Sequence, residues 1–301
     1  MPITAATDQT RDRARLLARV IEPVIGQVYF APECHRRYEA LGFNASPNQA
    51  PPGSLAFPDG PAYFTSRGSC LGQAPGELVA AAFGVFSPAV VVPSVTFGWS
   101  LTDARTIADE RLLGATEQLE RILGPAPDGV DRAVELLARA AAPLEPWGRA
   151  LFAGTLSQPL PGTPMGDLFR LGDRLREYRG DSHVAAWVAA GFDAVEIGLL
   201  TELFWGMPSR TYIRTRRWAT EDLDAGEARL ESAGLMTGQQ LTELGRAERE
   251  EIERVTDAAM LPALNALGDD LDELVALLSP WGRAVMQAGG YPPSPLALDP
   301  S

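Results

Sequence analysis

Leu16, Leu17, Val20, Ile21 and Val24 recur at helical spacing through residues 11–28, so this stretch is expected to form an amphipathic helix with one apolar stripe. The apolar run over residues 77–86 predicts a helix of the buried type. Asp181 stands where it can cap a helix ending near Gly191, and Asp193 with Glu196 forms a capping-box pattern opening a helix to Phe204. Thr220 caps a helix over residues 221–233, which Gly234 stops. From Gly234 to Arg249 the pattern is a short strand, a Gly turn, a second strand and a capped helix start.

Three Pro-rich stretches interrupt this pattern: an irregular loop at residues 46–61, a linker at 155–164 and a tail at 291–300. Internal repetition is also present. Glu145-Pro-Trp-Gly-Arg-Ala-Leu151 returns as Ser279-Pro-Trp-Gly-Arg-Ala-Val285, 134 residues later. Arg67-Gly68, Pro88, Trp99 and Arg111-Leu112 return in order as Arg179-Gly180, Pro208, Trp218 and Arg229-Leu230, with insertions between them. We read an ancient duplication with halves 1–155 and 156–301.

Helix, strand, turn, strand, helix is the order of a winged helix-turn-helix. Leu241-Thr242-Glu243-Leu244-Gly245-Arg246 resembles the Leu-Thr-x-x-Gly-Arg run that ends the wing of MarR-type proteins. The chain is also similar to an actinobacterial tandem winged-helix family, through Tyr63-Phe64-Thr65-Ser66-Arg67 and Arg179-Gly180-Asp181-Ser182-His183. The resemblance implies a mainly α fold: a tandem winged helix-turn-helix pseudo-dimer with short β-wings. The first half departs from it, with no wing pattern after Arg111-Leu112.

Charge changes what such a fold could do. The 301-residue chain has 26 basic and 39 acidic side chains, a formal net charge of −13, and every basic residue is Arg. Without Lys, Schiff-base chemistry, lysine-held pyridoxal phosphate and a lysine-bearing phosphate loop are excluded. Residues 220–231, the expected recognition helix, have five acids against Arg229 alone, and residues 102–113 have three acids against two arginines. Such helices approach phosphates poorly, so DNA is not expected as a partner. Arg210, Arg214, Arg216 and Arg217 are the counter-signal: a phosphate or ligand contact, or a solvated face pairing with the acidic helix. The two Cys, the absence of a leader pattern and the absence of a spanning apolar run lead us to expect a cytoplasmic protein with no membrane partner.

Only two His are available for imidazole chemistry. Arg179, His183 and Trp187 fall at i, i+4 and i+8, one face of a continuous helix. Asp181 and His183 are the candidate acid–base residues; the alternative is a helix cap and a satisfied core or interface histidine. His35 is expected on a short exposed helix. Cys34, Cys70 and the two His match no zinc spacing, so neither metal nor cofactor is expected. Cys70 is read as an inert thiol, with a Cys70–His183 nucleophile as the alternative. Trp147 and Trp281 are expected to anchor helix ends in the core, and Trp99 and Trp218 to line the seam between halves.

Together these observations favour a small-molecule-binding protein, its guest in the cleft between halves. Tyr63, Arg67, Trp99, Arg179, Trp187 and Trp218 are the candidate ligand contacts. MarR-type relatives bind phenolic or drug-like molecules near such a junction, so the resemblance implies a natural-product-like ligand. A cofactor-independent enzyme using His183, Asp181, Arg67 and Arg179 is the second reading, and a ligand-responsive regulator the third. Homodimerisation is left open.

Overall fold

The computed structural model describes residues 8–293, so the N-terminal segment and residues 294–301 of the tail lie outside the described residues. The chain is mainly α, with two short strands among the described residues. Helix α1 (Asp8–Ile25) begins before the expected start and passes at Gly26 into a 3-10 turn. Its apolar stripe buries Leu17, Ile21 and Val24 in the largest core. That core also takes Leu136 and Leu137 of α7 (Val130–Ala141), Leu168 and Phe169 of α9 (Pro164–Ala189), and Leu271 and Leu274 of α14 (Leu271–Gln287). It therefore draws on both sides of residue 155.

Two smaller lobes rest on this body. In the first, α3 (Gly60–Gly68), α4 (Gly76–Phe83) and α5 (Pro88–Leu101) enclose Phe64, Val79, Phe83, Val91 and Val95. Helix α4 stops short of residue 86 because Gly84 turns the chain at φ +70°. Helix α6 (Ala104–Leu123) then runs unbroken through the region where a wing would otherwise follow.

The second lobe contains α10 (Ala194–Phe204), a 3-10 turn (Tyr212–Arg216), α11 (Thr220–Ser232), strands β1 (Met236–Thr237) and β2 (Gln240–Leu241), and α12 (Glu243–Ala259). Leu199, Ile213, Leu223, Leu230 and Met236 fill it. The Asp193–Glu196 capping box forms as the sequence predicts. Helix α11 begins at Thr220 itself, with Ala219 in the capping position. The strands pair antiparallel, Met236 opposite Leu241, and the Thr242 hydroxyl accepts the Gly245 amide at 3.0 Å to open α12.

Other expectations are corrected. Helix α9 continues through Gly180, so Asp181 opens no helix of its own. Its carboxylate instead accepts the Phe152 amide at 2.9 Å, in the first turn of α8 (Ala150–Leu156). His35 is buried rather than exposed, because α2 (Pro32–Ala40) packs against α6; its Nε2 lies 3.3 Å from the Tyr29 carbonyl. The repeated Pro-Trp-Gly-Arg adopts two conformations. Trp147 sits in a loop and is 77% exposed, whereas Trp281 lies inside α14 at 8%.

The lobes meet at a short seam. The Trp218 indole donates to the Val85 carbonyl at 2.9 Å, and the Ser87 amide donates to the Arg216 carbonyl at 2.9 Å. The Arg216 guanidinium lies 4.6 Å over the Phe86 ring. Trp99 does not reach this seam, since its indole donates to the Ala74 carbonyl within the first lobe.

A candidate ligand cleft

A cleft of about 710 Å³ opens between α1, the middle of α9 and the second lobe. On α1, Arg15, Arg19 and Glu22 fall at i, i+4 and i+7, so all three face it. Arg176, Arg179 and Gly180 of α9 form the floor, with Arg67 beside them. Trp205, Tyr212, Met260, Met286 and Tyr291 supply aromatic and apolar wall. The Trp205 ring is 48% exposed and lies 5.4 Å from the Tyr212 ring.

The guanidinium groups are held in place by carboxylates. Arg67 forks onto Glu177, Nε at 3.0 Å and Nη2 at 2.7 Å, and Arg176 forks onto Glu22 at 2.9 and 3.1 Å. Behind them Arg111 forks onto buried Asp173 at 2.8 and 3.1 Å. Arg15 bridges Glu250 and Asp257, each at 2.7 Å. Arg179 contacts Glu253 at 2.9 Å and Asp257 at 3.1 Å, while Arg249 holds the other oxygen of Glu253 at 2.7 Å. Among the described residues Arg19 is the lining cation without an acidic partner. Against the upward push of burial, Arg67 and Arg176 hold the Glu177 carboxyl down to about 2, and Arg249 and Arg179 do the same for Glu253.

Of the residues singled out in the sequence, Arg67 and Arg179 line this cleft. Tyr63 stands behind it, its hydroxyl accepting Arg67 Nη1 at 3.3 Å and its ring edge-on to Tyr29 at 5.0 Å. The Arg179–His183–Trp187 face exists, but it is turned toward α12. Arg179 binds Glu253 and Asp257, His183 Nδ1 lies 3.1 Å from Thr256 Oγ1, and Trp187 is buried in a cluster with Ile252. The Thr256 hydroxyl already donates to the Ile252 carbonyl at 2.8 Å, so Nδ1 carries the proton in the His183 contact. Burial lowers the His183 imidazole to about 4 and keeps it neutral at pH 7.

Asp181 and His183 do not form the expected acid–base pair. Two residues apart on a helix, their side chains diverge by about 200°. One caps α8 while the other meets α12. Cys70 donates to the Arg67 carbonyl at 3.4 Å, and burial pushes its thiol up to about 12, so it stays protonated. Sequence reasoning missed Arg15, Arg19, Glu22 and Arg176. The first three were legible as the charged edge of the α1 stripe; the partners of Arg15 on α12 and of Glu22 on α9 are distant in sequence.

Burial also pushes the Asp181 carboxyl up to about 6, against the favourable Phe152 amide. A raised carboxyl lowers stability fully above the folded value near 6, and this loss disappears below the ordinary value of 3.8. Asp181→Asn keeps an acceptor for Phe152 without the charge. It is expected to equal or exceed wild type in urea midpoint at pH 7, and this advantage over wild type should shrink between pH 7 and pH 4, because the neutral His183 and the paired glutamates contribute equally to both proteins. An unchanged pH slope in the variant would contradict this assignment.

No curated protein and no solved structure matches the chain. A family model does, across residues 14–292, in agreement with the helix, 3-10 turn, helix and two-stranded wing of the second lobe. The chain belongs to this helix-turn-helix family.

Proposed function

We propose that the protein binds a small organic molecule in the cleft and has given up duplex DNA. In this reading the lobes descend from two winged units of a tandem pseudo-dimer, and the guest is natural-product-like, held for sequestration or resistance. The observation that carries the reading is the cleft itself. Its volume, about 710 Å³, lies within the roughly 300–1,000 Å³ usual for small-molecule sites, and it combines exposed aromatic surface with fixed polar groups.

The surface of α11 supports the loss of DNA. Glu221, Asp222, Asp224 and Glu231 are exposed on it. The nearby cations are already engaged: Arg210 binds Asp224 and Glu227, and Arg229 binds Asp193 and Glu196. The wing tip, Gly238-Gln239, carries no base. Exposed Arg214, Arg217 and, just past the wing, Arg246 remain, too few to offset the acidic helix.

Gly180 provides the test. A Cβ built there meets nothing closer than Glu177 Oε2 at 3.8 Å, so Gly180→Leu grows a side chain into the cleft without a backbone clash. Removing Gly from a helix interior also favours the fold by about 0.5–1 kcal/mol. Wild type is expected to bind the neutral fluorophore N-phenyl-1-naphthylamine at one saturable site, and Gly180→Leu to lose that site with an equal or higher melting temperature. Undiminished binding in the variant would remove the cleft from consideration. A steeply salt-dependent mobility shift of duplex DNA would overturn the second half of the proposal.

A further inference from the structure

The charges around the cleft balance except at one position. Among the described residues every lining arginine but Arg19 is matched by a carboxylate, and the lining acids are matched in turn: Glu22 by Arg176 and the Tyr291 hydroxyl, Glu253 by Arg179 and Arg249. Arg19 lies one turn beyond Arg15 on the same face of α1, exposed at the edge of the cleft. In water its charge is solvated. A guest that covers it must either neutralise it or leave it partly desolvated.

We infer that the cleft takes a monoanionic amphiphile, its single negative group on Arg19 and its flat apolar body against Trp205, Met260 and Met286. This rests on the ligand-binding reading above and assigns the charge class of the guest. Among the described residues a cation finds no unmatched carboxylate in the wall, and it meets Arg19 as a like charge. A dianion satisfies Arg19 with one charge and brings the other against Glu22 or Glu253, whose arginines are already committed. A neutral guest fits the apolar wall but gains nothing from the guanidinium. The half-exposed Trp205 ring, tilted against Tyr212, favours a planar body, and the two Met side chains adapt to its outline.

The test uses two probes with one ring system: 8-anilino-1-naphthalenesulfonate, a monoanion, and neutral N-phenyl-1-naphthylamine. Each is titrated by fluorescence into wild type, Arg19→Gln, Gly180→Leu and, as a control, Arg105→Gln, whose native side chain is 93% exposed on α6. Wild type is expected to prefer the anion by about fivefold or more, a preference that falls with salt, as for a partly exposed ion pair. Arg19→Gln should abolish that preference by weakening the anion alone, while Arg105→Gln leaves both affinities unchanged. Equal affinities for both probes in wild type and in Arg19→Gln, with both lost in Gly180→Leu, would overturn the charge assignment and leave the cleft as the site. Probes that fail to bind, or that bind Gly180→Leu as well as wild type, would overturn the cleft reading and this inference with it.

Discussion

Glu177→Ala is expected to lower stability by about 3–5 kcal/mol, the range for removing one member of a buried ion pair. The Glu177 side chain is 3% exposed and carries both N–H donors of the Arg67 fork, a third from Arg176 at 3.3 Å and the Tyr29 hydroxyl at 3.4 Å. Its removal strands a guanidinium that is itself only 14% exposed. The same pair sets an acid limit. A carboxyl held at about 2 contributes its stability fully above the ordinary value of 4.5, and loses it as pH falls from there through 2. Wild type should therefore lose urea resistance across this window. Glu177→Gln should begin lower at pH 7 and fall less steeply in acid, where Glu253 still contributes. A variant within about 1 kcal/mol of wild type at pH 7 would show that the pair is not the keystone its geometry describes.

Gly245→Ala is the second large effect, and here the cause is contact with the main chain. A Cβ at Gly245 would lie 1.9 Å from the Leu235 carbonyl oxygen, the atom that accepts the Thr242 amide at 3.1 Å. Neither the first turn of α12 nor the entry to β1 can yield without giving up a backbone hydrogen bond. The expected loss is at least the upper end of the roughly 1–3 kcal/mol range for overpacking. It should be accompanied by fast hydrogen exchange at Met236 and Leu241, while amides in α9 stay protected. Leu244→Ala, one residue away at a side chain 52% exposed, should change little. Slow exchange in the wing of Gly245→Ala would show that the clash is relieved elsewhere.

That glycine explains why the second lobe was legible. Gly234, the Leu241-Thr242 cap and Gly245 act within a few residues of one another, and so do Asp193 and Glu196; local chemistry suffices for each. Asp181 and His35 were misplaced because their settings are made by distant elements. A carboxylate two positions from His183 caps a helix 29 residues earlier in the chain, and His35 is covered by α6. The Trp147 and Trp281 heptapeptides show the same limit: one sequence is a loop where it meets solvent and a helix where α1 packs on it. In the cleft, sequence spacing reached Arg67 and Arg179 through the repeat. The lone charge on Arg19 became visible only once Arg15, Arg176 and Arg179 had been given their partners.

Helix α9 has a consequence for inheritance. Its first turns, with Leu168 and Phe169, complete the core around α7, and its last turns, from Arg179 to Trp187, seat α12. One uninterrupted element is thus read by two sets of neighbours, and a substitution favourable to one set is tested at once by the other. A chain built this way is free to drift at its surface helices, but the segments that pack on the two ends of α9 cannot be lost or exchanged independently of it. Selection therefore sees a single unit.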